Sequence, residues 1–371
     1  MKFVTLILLS LLLLQSPATP PQPIVSLPEK LSAAEFKRLM AEFSEPGGDF
    51  LSDNLISNET AYLPVLNKLQ ELNASGGAYL GVGPEQNFSY IAKIRPHIAF
   101  IVDIRHMAVT QHLMYKAIFQ LSADRAQFLS RLLSRPQEKP LTATATMPEL
   151  LKFFGAAKAD DKFFTANFEA IRQTIEKDFE IKLSEFEVKE LDYLLKSFKA
   201  DGLDIAFRLG GGWSSFPSLK EVLSQTDPSG KSNHFLASTD DYNYLRQMHM
   251  KNLIIPINGD FAGKKALVSI GDYLRKNNVT VTAFYLSNVE QYLFGDSVFA
   301  DFAANVKKLP INEQSLFIRS IWDRYDHPAH LPGHLFTMIL QRMPVFVKDF
   351  EANRYRFYYQ LLETNYIATG K

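Results

Sequence analysis

The chain has 371 residues, 46% of them hydrophobic and 29 of them Phe, which is enough to bury a core of one large domain or two modest ones and excludes a disordered chain. Its 40 basic and 40 acidic side chains cancel, which excludes an overall electrostatic footprint for nucleic acid or an anionic membrane surface, and no nucleic-acid partner is expected. The absence of cysteine excludes disulfides, thiolate metal sites and a cysteine nucleophile.

Residues 1–18, MKFVTLILLSLLLLQSPA, carry Lys2, an apolar run from Phe3 to Leu14 and small residues at Ser16 and Ala18. That is the pattern of a cleavable secretory signal peptide, and the run is short against the ~20 apolar residues of a spanning helix. An exported protein, periplasmic or extracellular, is therefore expected, with no transmembrane domain left after cleavage. Pro20, Pro21, Pro23 and Pro28 make residues 19–31 an extended linker, because proline fixes φ and prevents helix formation. A single domain is expected over residues 32–371.

The domain opens with SAAEFKRLMAEFSE, where Ser32 is an N-cap and Phe36, Leu39, Met40 and Phe43 fall on one helical face; Gly47 and Gly48 end it. A second helix is expected around residues 61–72. The stretch from Gly77 to Arg105 then reads as strand, glycine turn, short helix and second strand. Helical periodicity runs from Thr110 to Leu133 with a break near Ser122. Residues 147–200 are rich in Phe, Lys and Glu at three- and four-residue spacing and predict a helical insertion packed on the main body. Leu203–Leu209 is a strand candidate, followed by Gly210–Gly212 beside Trp213 and Phe216, which reads either as a mobile lid or as a surface loop. Asn252–Phe261, a helix, and the β-branched run from Val279 form a βαβα succession, and Gln314–Trp322 and His334–Gln341 are further strands. Two strands joined by one helix predict a parallel sheet with a right-handed crossover, hence an α/β fold.

In open α/β sheets, ligands sit beyond the carboxyl ends of the strands. There this chain places Gly81, Gly83, Pro84, Glu85, Gln86 and Asn87, then Asp103 and Arg105, then Asn258, Gly259 and Asp260, then Ser287, Asn288, Glu290 and Gln291. Gly81 and Gly83 permit close backbone approach, and Asp103, about 20 residues on, can accept hydrogen bonds from ribose hydroxyls. A nucleoside-containing small molecule is thus the expected ligand, against a plain tight turn with a coincidental acid.

On the blocks GAYLGVGPEQNFSYIA, PINGDFAGKKAL and TAFYLSNVEQYLF, the chain resembles a poorly characterised bacterial family of exported proteins with a Rossmann-like, class I S-adenosylmethionine-dependent methyltransferase-like fold. The resemblance covers residues 75–105 and 235–341. It implies a mostly parallel sheet and makes S-adenosylmethionine the candidate cofactor. It also implies cofactor contacts at Gly81, Gly83 and Asp103, with Asn258 to Asp260 facing substrate after the fourth strand. Asp260, Asn258 and Glu290 are then the candidates to orient or deprotonate a methyl acceptor. Tyr79 stands where the methyltransferase motif carries an acid. The alternative is an exported binding or interaction protein that keeps the fold without catalysis.

Gly259–Lys265 fails as a phosphate loop on spacing, and Lys265 stands where the Mg²⁺-binding hydroxyl belongs. Asp326, His327, His330 and His334 are separated by Pro328 and Pro332, so a histidine-bearing loop is favoured and no metal is expected. Four Asn-x-Ser/Thr sequons stand at Asn58, Asn73, Asn87 and Asn278, the third inside the expected pocket turn.

Overall fold

The computed structural model describes residues 27–370, apart from 138, 140, 143, 209–215 and 228. The leader, most of the proline-rich linker, and Gly210–Gly212 with Trp213 lie outside the described residues. In chain order the elements are α1 (Ala33–Phe43), α2 (Leu63–Glu71), β1 (Ala78–Gly81), α3 (Gln86–Ile94), β2 (Ile98–Asp103), α4 (His106–Leu121) and α5 (Arg125–Leu133). There follow α6 (Met147–Ala156), α7 (Asp161–Gln173), α8 (Glu185–Asp201), α9 (Leu219–Ser224) and α10 (Thr239–Met250). The last third holds β3 (Ile254–Asn258), α11 (Ala266–Lys276), β4 (Val281–Ser287), α12 (Val289–Gly295), α13 (Phe299–Val306), β5 (Leu316–Trp322), β6 (Phe336–Arg342), α14 (Met343–Glu351), α15 (Tyr358–Glu363) and β7 (Ile367–Ala368).

The fold is α/β around one seven-stranded mixed sheet in the order β3-β2-β1-β4-β5-β6-β7. The five strands from β3 to β5 pair in parallel, with Asp103 opposite Asn258 where β2 and β3 end. β5–β6 and β6–β7 pair antiparallel. The expected parallel pattern therefore stops at β5. The connection to β6 carries Pro328, Pro332 and Gly333 and no helix, so the chain returns as a hairpin instead of crossing over. β1 and β2 are buried along their whole length, which is why they read as continuous apolar runs rather than alternating ones. Pro256 is tolerated in β3 because that strand lies at the sheet edge, where a missing N–H leaves no ladder bond unmade.

Helices cover both faces. α1 and α4 both pack on β3, and α1 continues into a layer with α11, α13 and α14, while α4 joins α3 and α10. α1 forms as its spacing predicts: the Ser32 hydroxyl accepts from the Glu35 N–H at 3.1 Å, and Phe36, Leu39 and Phe43 are buried. The Phe43 ring lies 6.0 Å from Phe100 of β2 and 5.7 Å from Tyr273 of α11, wedging the helix between sheet and second helix. The break at Ser122 separates α4 from α5. The insertion folds as α6, α7 and α8, each opened by a side-chain cap from Thr146, Asp160 or Ser184, and packs on α4 and α5 rather than on the sheet. Leu203–Leu209 does not form a strand among its described residues: Gly202–Asp204 is a 3₁₀ turn, and the single bridge Ala206–Ser218 has no neighbouring ladder to extend it.

Because Phe43 fills the wedge between α1, β2 and α11, Phe43→Ala should cost about 3–5 kcal/mol of unfolding free energy, readable as a lower urea midpoint at unchanged slope.

Candidate functional site

The carboxyl edge of β1 leads into the turn 82–85 and α3. Gly83 sits at φ +76°, a left-handed conformation that favours glycine, and a Cβ on Gly81 would meet the Asn87 side-chain oxygen at 1.9 Å. Asn87 holds this turn together. Its Nδ2 donates to the carbonyls of Val82 (2.9 Å), Gly83 (3.1 Å) and Pro84 (2.8 Å), and its Oδ1 accepts from the Tyr79 hydroxyl at 2.9 Å. The sequon asparagine is thus a buried turn staple. His112 supports the same turn by donating from Nε2 to the Gly83 carbonyl at 2.9 Å; burial lowers its pKa to about 4, so the ring is neutral.

The glycine turn and the acid at the end of β2 meet. Gly83 N–H donates to Asp103 Oδ2 at 3.2 Å. The rest of that carboxylate is taken by Arg105, through its backbone N–H (2.9 Å), Nε (3.1 Å) and Nη2 (2.8 Å). Both side chains are buried. Arg105 also donates from Nη1 to the Asp53 carbonyl.

Asp53 belongs to a strap, residues 44–59, that crosses the edge of the sheet. At its start the Glu45 carboxylate accepts the backbone N–H groups of Lys264, Lys265 and Ala266, each at 3.0 Å, at the entry to α11. Gly48 N–H donates to the Ile104 carbonyl at 2.9 Å. Further along, the Leu55 carbonyl accepts from Gln111 at 2.6 Å, and the Ser57 N–H donates to the Glu85 carboxylate at 3.0 Å. At its end Glu59 accepts from Gln86 Nε2 (2.8 Å), the Tyr285 hydroxyl (2.7 Å) and the Ser287 hydroxyl (2.6 Å). Desolvation by burial raises the pKa of Glu85 to about 7, against the pull of the Ser57 N–H, and raises that of Glu59 against the hydroxyls of Ser287, Tyr285 and Ser320 and the Gln86 amide.

Of the expected rim residues, hydrogen bonds join Gly83, Asp103, Arg105, Gly259 and Asn258, and Glu59 links Gln86 to Ser287, whereas Asp260 and Glu290 bond elsewhere. Asn258 ends β3, the third and outermost strand, rather than a fourth, and its Nδ2 is spent on the carbonyls of Asp103 and Ile104, both at 3.0 Å. The position after the fourth strand belongs instead to Ser287 and Asn288. Glu290 turns away from the rim and pairs with Arg319 of β5 at 2.5 and 3.0 Å, both side chains 1% exposed. Gly259 donates its N–H to the Asp103 carbonyl at 2.9 Å, and Asp260 accepts from the Ala262 N–H at 2.9 Å in the turn before α11.

Sequence reasoning missed the strap. Its signal was length: sixteen residues without a predicted element inside a compact domain are uncommon and are usually functional. With the strap in place, the cleft beside it, between Ser52–Leu55 and Tyr193, Asp201 and Arg208, holds about 50 Å³. That is far below the ~300 Å³ or more of small-molecule sites. A cleft of about 260 Å³ opens at the opposite, amino end of the strands, lined by Ser75, His97, Asn278, Thr280 and Gln314. The sequon residues Asn73 and Asn278 sit there at φ +54° and +53°, each ending a helix in the left-handed conformation that asparagine tolerates.

The histidine loop does not converge. His327 Nε2 faces the Leu362 carbonyl at 3.3 Å, His330 the Tyr325 carbonyl, and His334 the Thr60 hydroxyl at 2.6 Å. Among the described residues no group of three or more His, Asp or Glu is placed to hold a metal ion, and no helix is long and apolar enough to cross a membrane.

An α/β protein whose strand ends are covered by its own chain is the class that this geometry defines. Residues 55–370 match the family described as a domain of unknown function, DUF7790, and the chain belongs to that family. No curated protein matches it.

Two outcomes follow from the buried acids. Glu290→Ala leaves the Arg319 guanidinium buried and unpaired and should cost about 3–5 kcal/mol in chemical denaturation. Because folding raises the Glu85 pKa from its ordinary 4.5 to about 7, its contribution to stability is full below pH 4.5 and is lost as the pH rises to about 7. Denaturation of wild type and Glu85→Gln at pH 5 and pH 8 should therefore show the wild type losing up to roughly 3 kcal/mol relative to the variant. Parallel pH profiles would contradict this.

Proposed function

We propose that the protein is a Rossmann-like, class I methyltransferase-like α/β protein that binds a nucleoside-containing small molecule at the carboxyl edge of β1, β2 and β4, with S-adenosylmethionine the first candidate. The observation that carries this reading is the 3.2 Å contact between the Gly83 N–H and the Asp103 carboxylate, on a sheet whose order runs β3-β2-β1-β4-β5 in parallel. The same glycine turn and strand-end acid serve the phosphate or ribose side of nucleotides in doubly wound folds. Asp103 would exchange Arg105 for ribose hydroxyls, and Gly83 would let the ligand approach the turn. The strap has to move first, since it covers Arg105 through Asp53.

S-adenosylmethionine would supply an activated methyl group. The chain's part is to hold the nucleoside, exclude water beneath the strap and orient the acceptor. For that last role Asp260 is retained over Asn258, whose Nδ2 is engaged by the Asp103 and Ile104 carbonyls, and over Glu290, whose carboxylate is engaged by Arg319. The same engagement supports a second reading, an exported binding or interaction protein without catalysis.

Isothermal calorimetry with S-adenosylmethionine and S-adenosylhomocysteine tests the first reading. Saturable heat is expected, weakened at least about tenfold by Asp103→Ala, in line with loss of a charge-assisted hydrogen bond. No heat from folded protein removes the cofactor. Cell fractionation with sequencing of the mature N-terminus separates the second: a cleaved, exported chain supports it, and an uncleaved cytoplasmic one opposes it.

A further inference from the structure

The order of the sheet reverses between β1 and β4, and there the chain fills the crevice with its own Glu59. This side chain is 1% exposed. Its carboxylate is met by one donor from α3, Gln86 Nε2 at 2.8 Å, and two from β4, the hydroxyls of Tyr285 at 2.7 Å and Ser287 at 2.6 Å. All three donors are neutral, as is the Ser320 hydroxyl of β5 that also acts on this carboxylate, and among the described residues no lysine or arginine pairs with Glu59. Burying a carboxylate without a cation is costly, and an apolar residue would close the same space with less penalty. Three convergent donors on the two elements that flank the reversal form a receptor for a carboxylate, of which Glu59 is the resident occupant.

We propose that this crevice is a carboxylate-binding site which the protein keeps closed with its own Glu59, and that a small-molecule carboxylate enters by exchange with it, lifting residues 49–59. The strap spans both this seat and the Arg105 guanidinium, to which the Asp53 carbonyl is bound, so one displacement opens the seat and uncovers Asp103 together. Glu45, tied to three backbone N–H groups at α11, keeps the start of the strap attached while the rest moves. The ligand class is an amino-acid-like carboxylate; its joining to a nucleoside rests on the reading above, whereas the seat itself does not.

Glu59→Ala empties the seat, and thermal unfolding in rising acetate or formate tests it. Expected is a saturable rise of several degrees in Tm for the variant, beyond that in chloride at equal ionic strength, and absent from the wild type. A response of Glu59→Ala to acetate no greater than to chloride overturns the proposal. Should Glu59→Ala not fold, hydrogen exchange on Tyr285→Phe and Ser287→Ala, with Glu59 intact, decides. The amides of 50–58 should then exchange about tenfold faster while β1 and β4 keep their protection, and an unchanged strap overturns the proposal. Neither readout uses a nucleoside, so failure of S-adenosylmethionine to bind leaves the seat standing, and failure of rescue leaves the nucleoside reading standing.

Discussion

The contact of the Asp103 carboxylate with the Gly83 N–H and the Arg105 guanidinium organises this end of the molecule. Parallel strands deliver their turns to one edge, and the polar groups there need partners once water is excluded. Asp103 joins the β1 turn to the end of β2, and Arg105 extends the link to the strap. Asn258 brings in β3 through the Asp103 and Ile104 carbonyls. Glu59 brings in β4 through Tyr285 and Ser287. The strand ends are thereby satisfied almost entirely from within the chain.

That arrangement places acids in apolar surroundings. Glu59, the last residue of the strap, and Glu85 beneath it have neutral donors, and their pKa values rise because burial penalises the charged form. Glu290 follows a different logic, since Arg319 pairs with it in two-point contact and Gln341 of β6 satisfies a further guanidinium nitrogen at 2.7 Å. The Glu290–Arg319 pair ties α12 to the β5–β6 hairpin, the part of the sheet that departs from the parallel pattern. It belongs to the framework, and the rim belongs to the strap.

Much of the framework was legible because its signals are local. Ser32 with Phe36, Leu39 and Phe43 specified α1, and the all-apolar runs of β1 and β2 specified buried parallel strands. Leu203–Leu209 misled because apolar alternation only becomes a strand where a neighbour offers a ladder, and here the bridge to Ser218 is isolated. Asn258 ends the third strand and not the fourth, a difference the sequence hides because the β2–β3 connection holds α4 to α10, and counting strands across it requires knowing which segments pair. Glu290 looked available because a sequence does not reveal that Arg319, 29 residues on, reaches it.

By itself the sequence determined the α/β class, the helical insertion and the meeting of a glycine turn with an acid, since these follow from periodicity, from glycine's access to positive φ and from spacing along consecutive strands. Only the tertiary structure decided that the edge is covered. Residues 44–59 carry no periodicity, so nothing local foretells where their carboxylates and carbonyls find partners; those partners, Lys264 to Ala266, Arg105, Gln111, Tyr285 and Ser287, converge only when the sheet has brought distant strand ends together.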